Sequence, residues 1–464
     1  MRVTHPLFFM ILLGLTGLAQ VAPAQDAHYW DNQYGTKGEL LGGLVVGSPS
    51  DLSATFYNPG WIAIHGDPSL LVTTKAFEVY NIKLTDGLGT GVDPSSTIAT
   101  TSPGYLAGRF SSSDRDGWQW AYSYLQKVKF DFDASEVLIN EISDPDPVAF
   151  SGEIFRVSTT NEYWYGCTLS RKLRDNVGLG ISPYVAYRSM ASRSQISTQG
   201  LDAMNNFGQA YDLQSFSFNH ARLLMKIGLA VEWEKWSAGI AMTTPGIGLW
   251  GSGEIGENQN YSGIDLDRNG VVDDPYLTSN FQDKLSAKWK SPVSVAVGAS
   301  FQSGKTTVHT TAEWFNGVSE QSIMDPEPYR SQSTGTVFKY ESTYNLKSVI
   351  NIGLAIDHHL RPRFALYGSA RTDFTALPDD APGNLLIADW DLWHTSFGAL
   401  FQFLDIEFTT GLQYSFGRGS SERFINFNPQ EGEAVIGEPA IHDIDYNRLK
   451  FMFGFNLPFG ETGL

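Results

Sequence analysis

The stretch Ile406-Glu407-Phe408-Thr409-Thr410-Gly411-Leu412-Gln413-Tyr414-Ser415-Phe416 decides the fold. Ile406, Phe408, Thr410, Leu412, Tyr414 and Phe416 alternate with polar or small residues, so a β-strand here has one apolar face. With the run that begins at Trp390 it predicts a hairpin over 390–416. The last strand repeats the pattern. Leu449, Phe451, Phe453, Phe455, Leu457 and Phe459 share one face, and Arg448, Lys450, Met452, Gly454 and Asn456 share the other. Strands of soluble sandwiches usually run about 5–6 residues. These runs are longer and carry aromatics repeatedly on the outer face, as transmembrane strands of about 9–11 residues do.

Composition agrees with a barrel. The chain has 464 residues, 42% hydrophobic and 13% aromatic, with 46 Gly. Its mean hydropathy is −0.18, too low for a bundle of membrane helices. A barrel hides its apolar half by alternation, uses Gly inside and places aromatics at both membrane interfaces.

Long alternating runs fall at 70–84, 102–111, 118–132, 154–172, 176–193, 213–232, 235–249, 285–302, 306–316, 337–357, 363–374, 391–403, 405–416 and 447–459. That makes about fourteen, an even number as bacterial barrels require. Short linkers (112–116, 173–175, 302–304, 404–405) alternate with long ones (85–101, 133–153, 194–212, 250–284, 317–336, 375–390, 417–446). Outer-membrane barrels have short periplasmic turns and long external loops, so both chain ends are expected on the periplasmic side.

Residues 1–24 read as a secretory signal peptide, with Arg2, an apolar core over 7–18 and Ala22-Pro23-Ala24 at the cleavage site. Cys167 is the lone cysteine, which excludes a disulfide within one chain. The formal net charge of −18 argues against nucleic acid, because phosphate binding needs clustered Lys and Arg. The segment 25–69 lacks a clean period and reads either as a loop or as a compact plug (hatch) ahead of a barrel over 70–464. In its Asn58-Pro59-Gly60 turn, Pro fixes φ at the second position and Gly tolerates positive φ at the third.

The external loop over 250–284 contains Asp265, Asp267, Asn269, Val271 and Asp273. Three oxygen side chains, the Val271 carbonyl and a fourth oxygen side chain, Asp273, with Gly270 at the turn, match the spacing of a structural Ca²⁺ loop. Tyr276 stands where an EF-hand has Glu. The competing reading is an acidic, solvated loop. No Gly-x-Ser-x-Gly, phosphate-binding loop or His-Glu-x-x-His occurs. Inward Ser300 and His309, and the adjacent pair His358-His359, do not by themselves make an active site. An enzyme is not expected.

The run Ser53-Ala54-Thr55-Phe56-Tyr57-Asn58-Pro59-Gly60, just before the first strand, resembles the N-terminal signature of the outer-membrane long-chain fatty-acid transporter family (FadL/TodX type). In that family the turn is usually Asn-Pro-Ala. Further echoes are Ser291-Pro292-Val293-Ser294-Val295-Ala296-Val297-Gly298, Ala312-Glu313-Trp314-Phe315-Asn316 and Ala370-Arg371-Thr372-Asp373-Phe374. The resemblance implies an all-β, fourteen-stranded transmembrane antiparallel barrel with an N-terminal plug. It implies passive uptake of long-chain fatty acids or aromatic hydrocarbons across the bacterial outer membrane.

A single chain set in outer-membrane lipid and lipopolysaccharide is expected. Register points Trp164, Tyr184, Arg222, Tyr367 and Arg371 inward, with Leu125, Leu224, Leu400, Lys127 and Arg363; an inward Arg suits a carboxylate. The family's third strand kinks inward to open a side exit, but 118–132 has no Gly or Pro, so no kink is expected there. The resemblance also reaches barrels that bind secreted proteins as type IX secretion shuttles, and the long loops leave that alternative open.

Overall fold

The computed structural model describes residues 27–48, 51–65, 69–109, 117–143, 147–201, 206–263, 271–340, 342–378, 390–425 and 436–458. Three short helices come first: α1 (Thr36–Leu40), α2 (Ala54–Tyr57) and α3 (Trp61–Ile64). The strands follow: β1 (Ser69–Thr85), β2 (Ser95–Arg109), β3 (Trp118–Ser143), β4 (Pro147–Arg174), β5 (Val177–Leu201), β6 (Phe207–Glu232) and β7 (Trp236–Thr243). Next are β8 (Ile247–Ser262), β9 (Tyr276–Ser286), β10 (Ser294–Ser303), β11 (Thr306–Phe315), β12 (Val318–Met324), β13 (Tyr329–Arg330) and β14 (Val337–Phe338). The last are β15 (Ser342–Leu346), β16 (Val349–Arg361), β17 (Phe364–Asp373), β18 (Trp390–Phe403), β19 (Ile406–Ile425) and β20 (Ile436–Pro458).

Fourteen of these strands close an antiparallel barrel in the order β1 to β7, β10, β11 and β16 to β20, with β20 paired back on β1 from Ser69↔Pro458 to Thr85↔Asp443. Closure pairs the wall without leaving an edge strand. Alternation along each strand sorts the two faces. Trp393, Phe397, Leu412, Tyr414, Leu449 and Phe451 are exposed outward, whereas Arg448, Lys450 and Met452 on β20 are buried inward. At the short-turn end Trp118, Trp120, Trp233 and Trp236 stand exposed, as an interfacial aromatic girdle does. The apolar exterior and polar interior are those of a transmembrane barrel.

Three expectations need correction. The 133–153, 194–212 and 417–446 linkers are not open loops: β3 and β4 stay paired out to Ser143↔Pro147, β5 and β6 to Leu201↔Phe207, and β19 and β20 to Ile425↔Ile436, so the wall extends beyond the membrane band. The run 337–357 is not one strand, because β14 and β15 belong to small hairpins and the barrel strand starts at Val349. The runs 235–249 and 285–302 are each broken. β7 and β8 separate at residues 244–246, and β9 and β10 at residues 287–293. Pro245 and Pro292 lie in these breaks and have no N–H for a ladder.

The N-terminal segment lies inside the ring. α1 packs against β17 to β20 and β1, while α3 packs against β3 to β6. Its backbone comes close because the facing wall positions are bare. A Cβ at Gly178, Gly180, Gly228 or Gly239 would sit 2.1 Å from Gly60 O, 2.3 Å from Pro59 O, 2.1 Å from Asn58 Oδ1 and 2.2 Å from Val46 O, respectively. Asn58 is locked in this seat. Its Nδ2 donates to Val46 O at 2.9 Å and Leu229 O at 3.0 Å, and its Oδ1 accepts from Gly60 N at 3.1 Å. Gly60 has φ −61° and ψ −29°, not the positive φ expected for it. What demands glycine is space: a Cβ there would meet Gly178 O at 2.6 Å and Gly228 O at 2.9 Å.

Candidate functional site

Between this segment and the wall lies a partly open cavity of about 100 Å³. Tyr29, Trp30, Phe56, Tyr57, Trp164, Trp289 and Phe315 supply aromatic walls, and Val46, Val128, Leu224 and Leu346 supply aliphatic ones. Its lining has five cationic residues (Lys127, Arg188, Arg222, Lys226, Lys290) against two acids (Glu162, Glu313), a surplus of three positive charges.

Both acids are engaged. Glu162 accepts from Arg188 Nη1 at 2.9 Å, Arg222 Nη2 at 2.6 Å and Trp164 Nε1 at 2.6 Å. Glu313 accepts from Trp30 Nε1 and from Ser294 Oγ, each at 2.7 Å. The Lys127 ammonium donates to Tyr29 O at 2.6 Å. The Lys226 ammonium sits 4.2 Å from the centre of the Phe56 ring, with Glu313 and Lys127 as its charged neighbours. A buried cation over an aromatic face, beside apolar walls, suits a ligand with a greasy body and an anionic end.

An arm, residues 28–34, contributes to the cavity lining and is pinned to β17 and β20. Asp373 accepts from Tyr29 N at 3.1 Å and Trp30 N at 3.0 Å, and Arg371 Nη2 donates to Trp30 O at 3.0 Å. Arg448 holds Asp31 with contacts of 2.6 and 3.0 Å. Burial pushes the Asp31 carboxyl up, but the Arg448 guanidinium outweighs it and holds the group well below the usual carboxylate range.

A second contact ties the segment near the short-turn end. His309 Nδ1 meets Ser48 Oγ at 2.9 Å, and His309 Nε2 meets Asp357 Oδ2 at 2.7 Å. Ser237 Oγ donates to Gly47 O at 2.8 Å and meets Ser300 Oγ at 2.5 Å. These groups are buried between segment and wall, apart from the cavity lining, where they act as a latch.

The cavity reaches the wall at Lys127 and Val128, and there the ladder fails. β2 pairs with β3 only from Tyr105↔Leu125 to Arg109↔Ala121. Against β4, β3 bulges between Gln126 and Val128. Beyond the bulge, side chains span the β2–β3 seam: Asp133 N donates to Ser96 Oγ at 3.1 Å, and Lys129 Nζ bonds Thr100 Oγ1. Tyr80 on β1 reaches past β2 to bond Asp131 N at 2.9 Å, so β3 leans into the lumen. The kink therefore exists without Gly or Pro. The N-terminal arm accounts for it: Tyr34 Oη donates to Gln126 O at 3.0 Å and Asn32 Nδ2 to Lys127 O at 3.3 Å, satisfying carbonyls the bulge frees.

Of the inward candidates, Trp164 and Arg222 line the cavity together with Leu224 and Lys127. Tyr184 is buried but holds the segment instead, donating to Thr55 O at 2.9 Å. Arg371 pins Trp30, Tyr367 is buried outside the cavity, and Arg363 is exposed in a turn, not inward. Glu162, Arg188 and Lys226 went unnoticed, although they share parity with Trp164, Tyr184 and Arg222 on the same strands. Asp265, Asp267 and Asn269 lie outside the described residues, as do the chain's first 26 residues. Val271 is described and exposed, and Asp273 is described and partly exposed.

No protein-family model matches the sequence, and no curated protein matches it. Solved structures do. A FadL homologue of Pseudomonas aeruginosa is similar with a TM-score of 0.58 and 14% identity, over 94% of this chain and 100% of that one. A mutant of the TodX monoaromatic hydrocarbon channel gives a TM-score of 0.60 and 13% identity, over 92% and 100%. The toluene transporter TodX of Pseudomonas putida gives 0.58 and 12%, over 93% and 99%. At such identities the likeness is one of fold: this chain has the FadL/TodX-type architecture, a fourteen-stranded barrel of the bacterial outer-membrane type.

Proposed function

We propose that this protein is a channel for passive uptake of hydrophobic compounds across the outer membrane, with residues 25–69 as its plug. The observation that carries the reading is the aromatic cavity between segment and wall, open toward the β3 bulge where backbone pairing stops. A solute held there is shielded from water and stands next to a gap facing lipid. It works as a single chain, with outer-membrane lipid and lipopolysaccharide around it. No covalent chemistry is part of this reading.

The three surplus positive charges and the Lys226 ammonium over Phe56 favour an apolar chain ending in a carboxylate, a long-chain fatty acid, over a neutral aromatic hydrocarbon. The test compares a long-chain fatty acid, its methyl ester and toluene for binding in detergent and for transfer into liposomes. Lys226→Met should weaken acid binding roughly 10- to 100-fold, the value of a charged hydrogen bond, and leave the ester unchanged. Equal loss for acid and ester would refute the carboxylate assignment. No binding or transfer of any of the three would refute the channel, and co-purification of a secreted protein would point to the shuttle reading.

A further inference from the structure

The barrel wall is interrupted a second time. β7 pairs with β10 up to Thr243↔Ser294, and pairing resumes between β8 and β9 at Ser252↔Ser286. Between these points residues 244–251 face residues 287–293, and among the described residues the one backbone hydrogen bond joining them is Ala287 N to Gly251 O at 3.3 Å. On the β8 side, residues 247–250 are exposed at consecutive positions instead of alternating, so both faces of the strand are open there.

The opposite edge is drawn inward and held. Lys288 N donates to Ile323 O at 2.8 Å, and Tyr344 Oη accepts from Lys290 N at 2.5 Å and donates to Lys290 O at 3.0 Å. Trp289 stacks on Tyr344 with ring centres 4.3 Å apart. The hairpin of β12 and β15 thus satisfies the segment's polar groups from inside, which a gap at membrane depth requires.

We propose that this break is a second lateral window, through which the apolar part of a solute in the cavity exchanges with the bilayer. The inference rests on the channel reading above. Thr243, Lys290, Ser291 and Pro292 line the cavity, so it reaches this edge too. The height is right for lipid. At about 3.3 Å per residue and a tilt of about 40°, the end of β7 stands roughly 20 Å above Trp236, inside the apolar band of about 25 Å. The β3 bulge lies at a similar height above Trp118. Two windows on one chamber give parallel routes, so closing one should reduce flux without abolishing it.

The test uses full-length protein in liposomes, with exposed Cys167 changed to Ser. Pro245→Cys, exposed on the rim and outside the cavity lining, is coupled to a bulky maleimide. Trp236→Cys with the same label is the control on the same strand. Leu249→Cys gives a second rim site if Pro245→Cys does not fold. Transfer of a long-chain fatty acid should halve with either rim label and stay unchanged with the control. Rim-labelled protein that conducts like the unlabelled form overturns the window while leaving the channel intact. Absence of transfer by the unlabelled protein overturns the channel reading, and the window with it.

Discussion

Asn58→Ala tests how the N-terminal segment is held. The side chain makes three hydrogen bonds, to Val46 O, Leu229 O and Gly60 N, in a fully buried seat. Alanine deletes all three; Val46 O keeps its bond from Trp61 Nε1 at 3.0 Å, but Gly60 N loses its Asn58 acceptor, and wall glycines offer no replacement side chain. Each bond is worth about 0.5–1.5 kcal/mol net, and stranded buried groups add to the loss. The expected sum is about 2–4 kcal/mol against the local opening of the segment. At about 1.4 kcal/mol per decade, that is roughly 30- to 700-fold faster amide exchange. Hydrogen exchange read by mass spectrometry should show the acceleration in 44–62, with the β18–β20 wall unchanged. Exchange in 44–62 within about threefold of the parent would refute the claim that Asn58 pins the segment to the wall.

Gly228→Ala should also loosen the segment, because the new Cβ would lie 2.1 Å from Asn58 Oδ1; overpacking of this kind costs about 1–3 kcal/mol, read by the same exchange experiment. Acid should release the arm that carries Asp31. Its folded pKa is depressed, so its contribution is present above the unfolded value of about 3.9 and is lost as pH falls through the folded value. Proteolysis of residues 28–34 by an acid protease should therefore rise steeply only below the ordinary carboxylate range, and Asp31→Asn should remove that step. The calcium reading of Asp265, Asp267, Asn269, Val271 and Asp273 predicts that a chelator, or Asp267→Ala, raises protease cleavage in that loop; identical cleavage with and without calcium would dismiss it.

Much of the barrel was legible because a lipid-facing wall imposes a strict rule on sequence. Phe397, Leu412 and Phe451 must be greasy and their neighbours need not be, and that contrast survives without any knowledge of pairing. The breaks were not legible. Residues 244–246 and 287–293 sit within runs that alternate well enough to pass as single strands, and Trp289 turns inward where Tyr344, Arg188 and Phe218, all distant in the chain, receive it. The β3 kink was hidden for a related reason: carbonyls of Gln126 and Lys127 are satisfied by Tyr34 and Asn32 from another element, so no local breaker was needed. The cavity was half legible. Parity alone reaches Trp164 and Arg222, and it also reaches Glu162 and Lys226, but it cannot tell a lining group from one that merely props the N-terminal segment, as Tyr184 does.

The row of missing side chains beneath Asn58 and Gly60 also partitions the interior. Were the segment to lift, as the channel reading requires, it would uncover on β5 to β7 a strip of ladder-paired peptide with no side chains over it. An oily molecule gains nothing by sliding along such a strip. On the channel reading proposed above, the segment's footprint and the path of a solute would thereby stay apart within one tube.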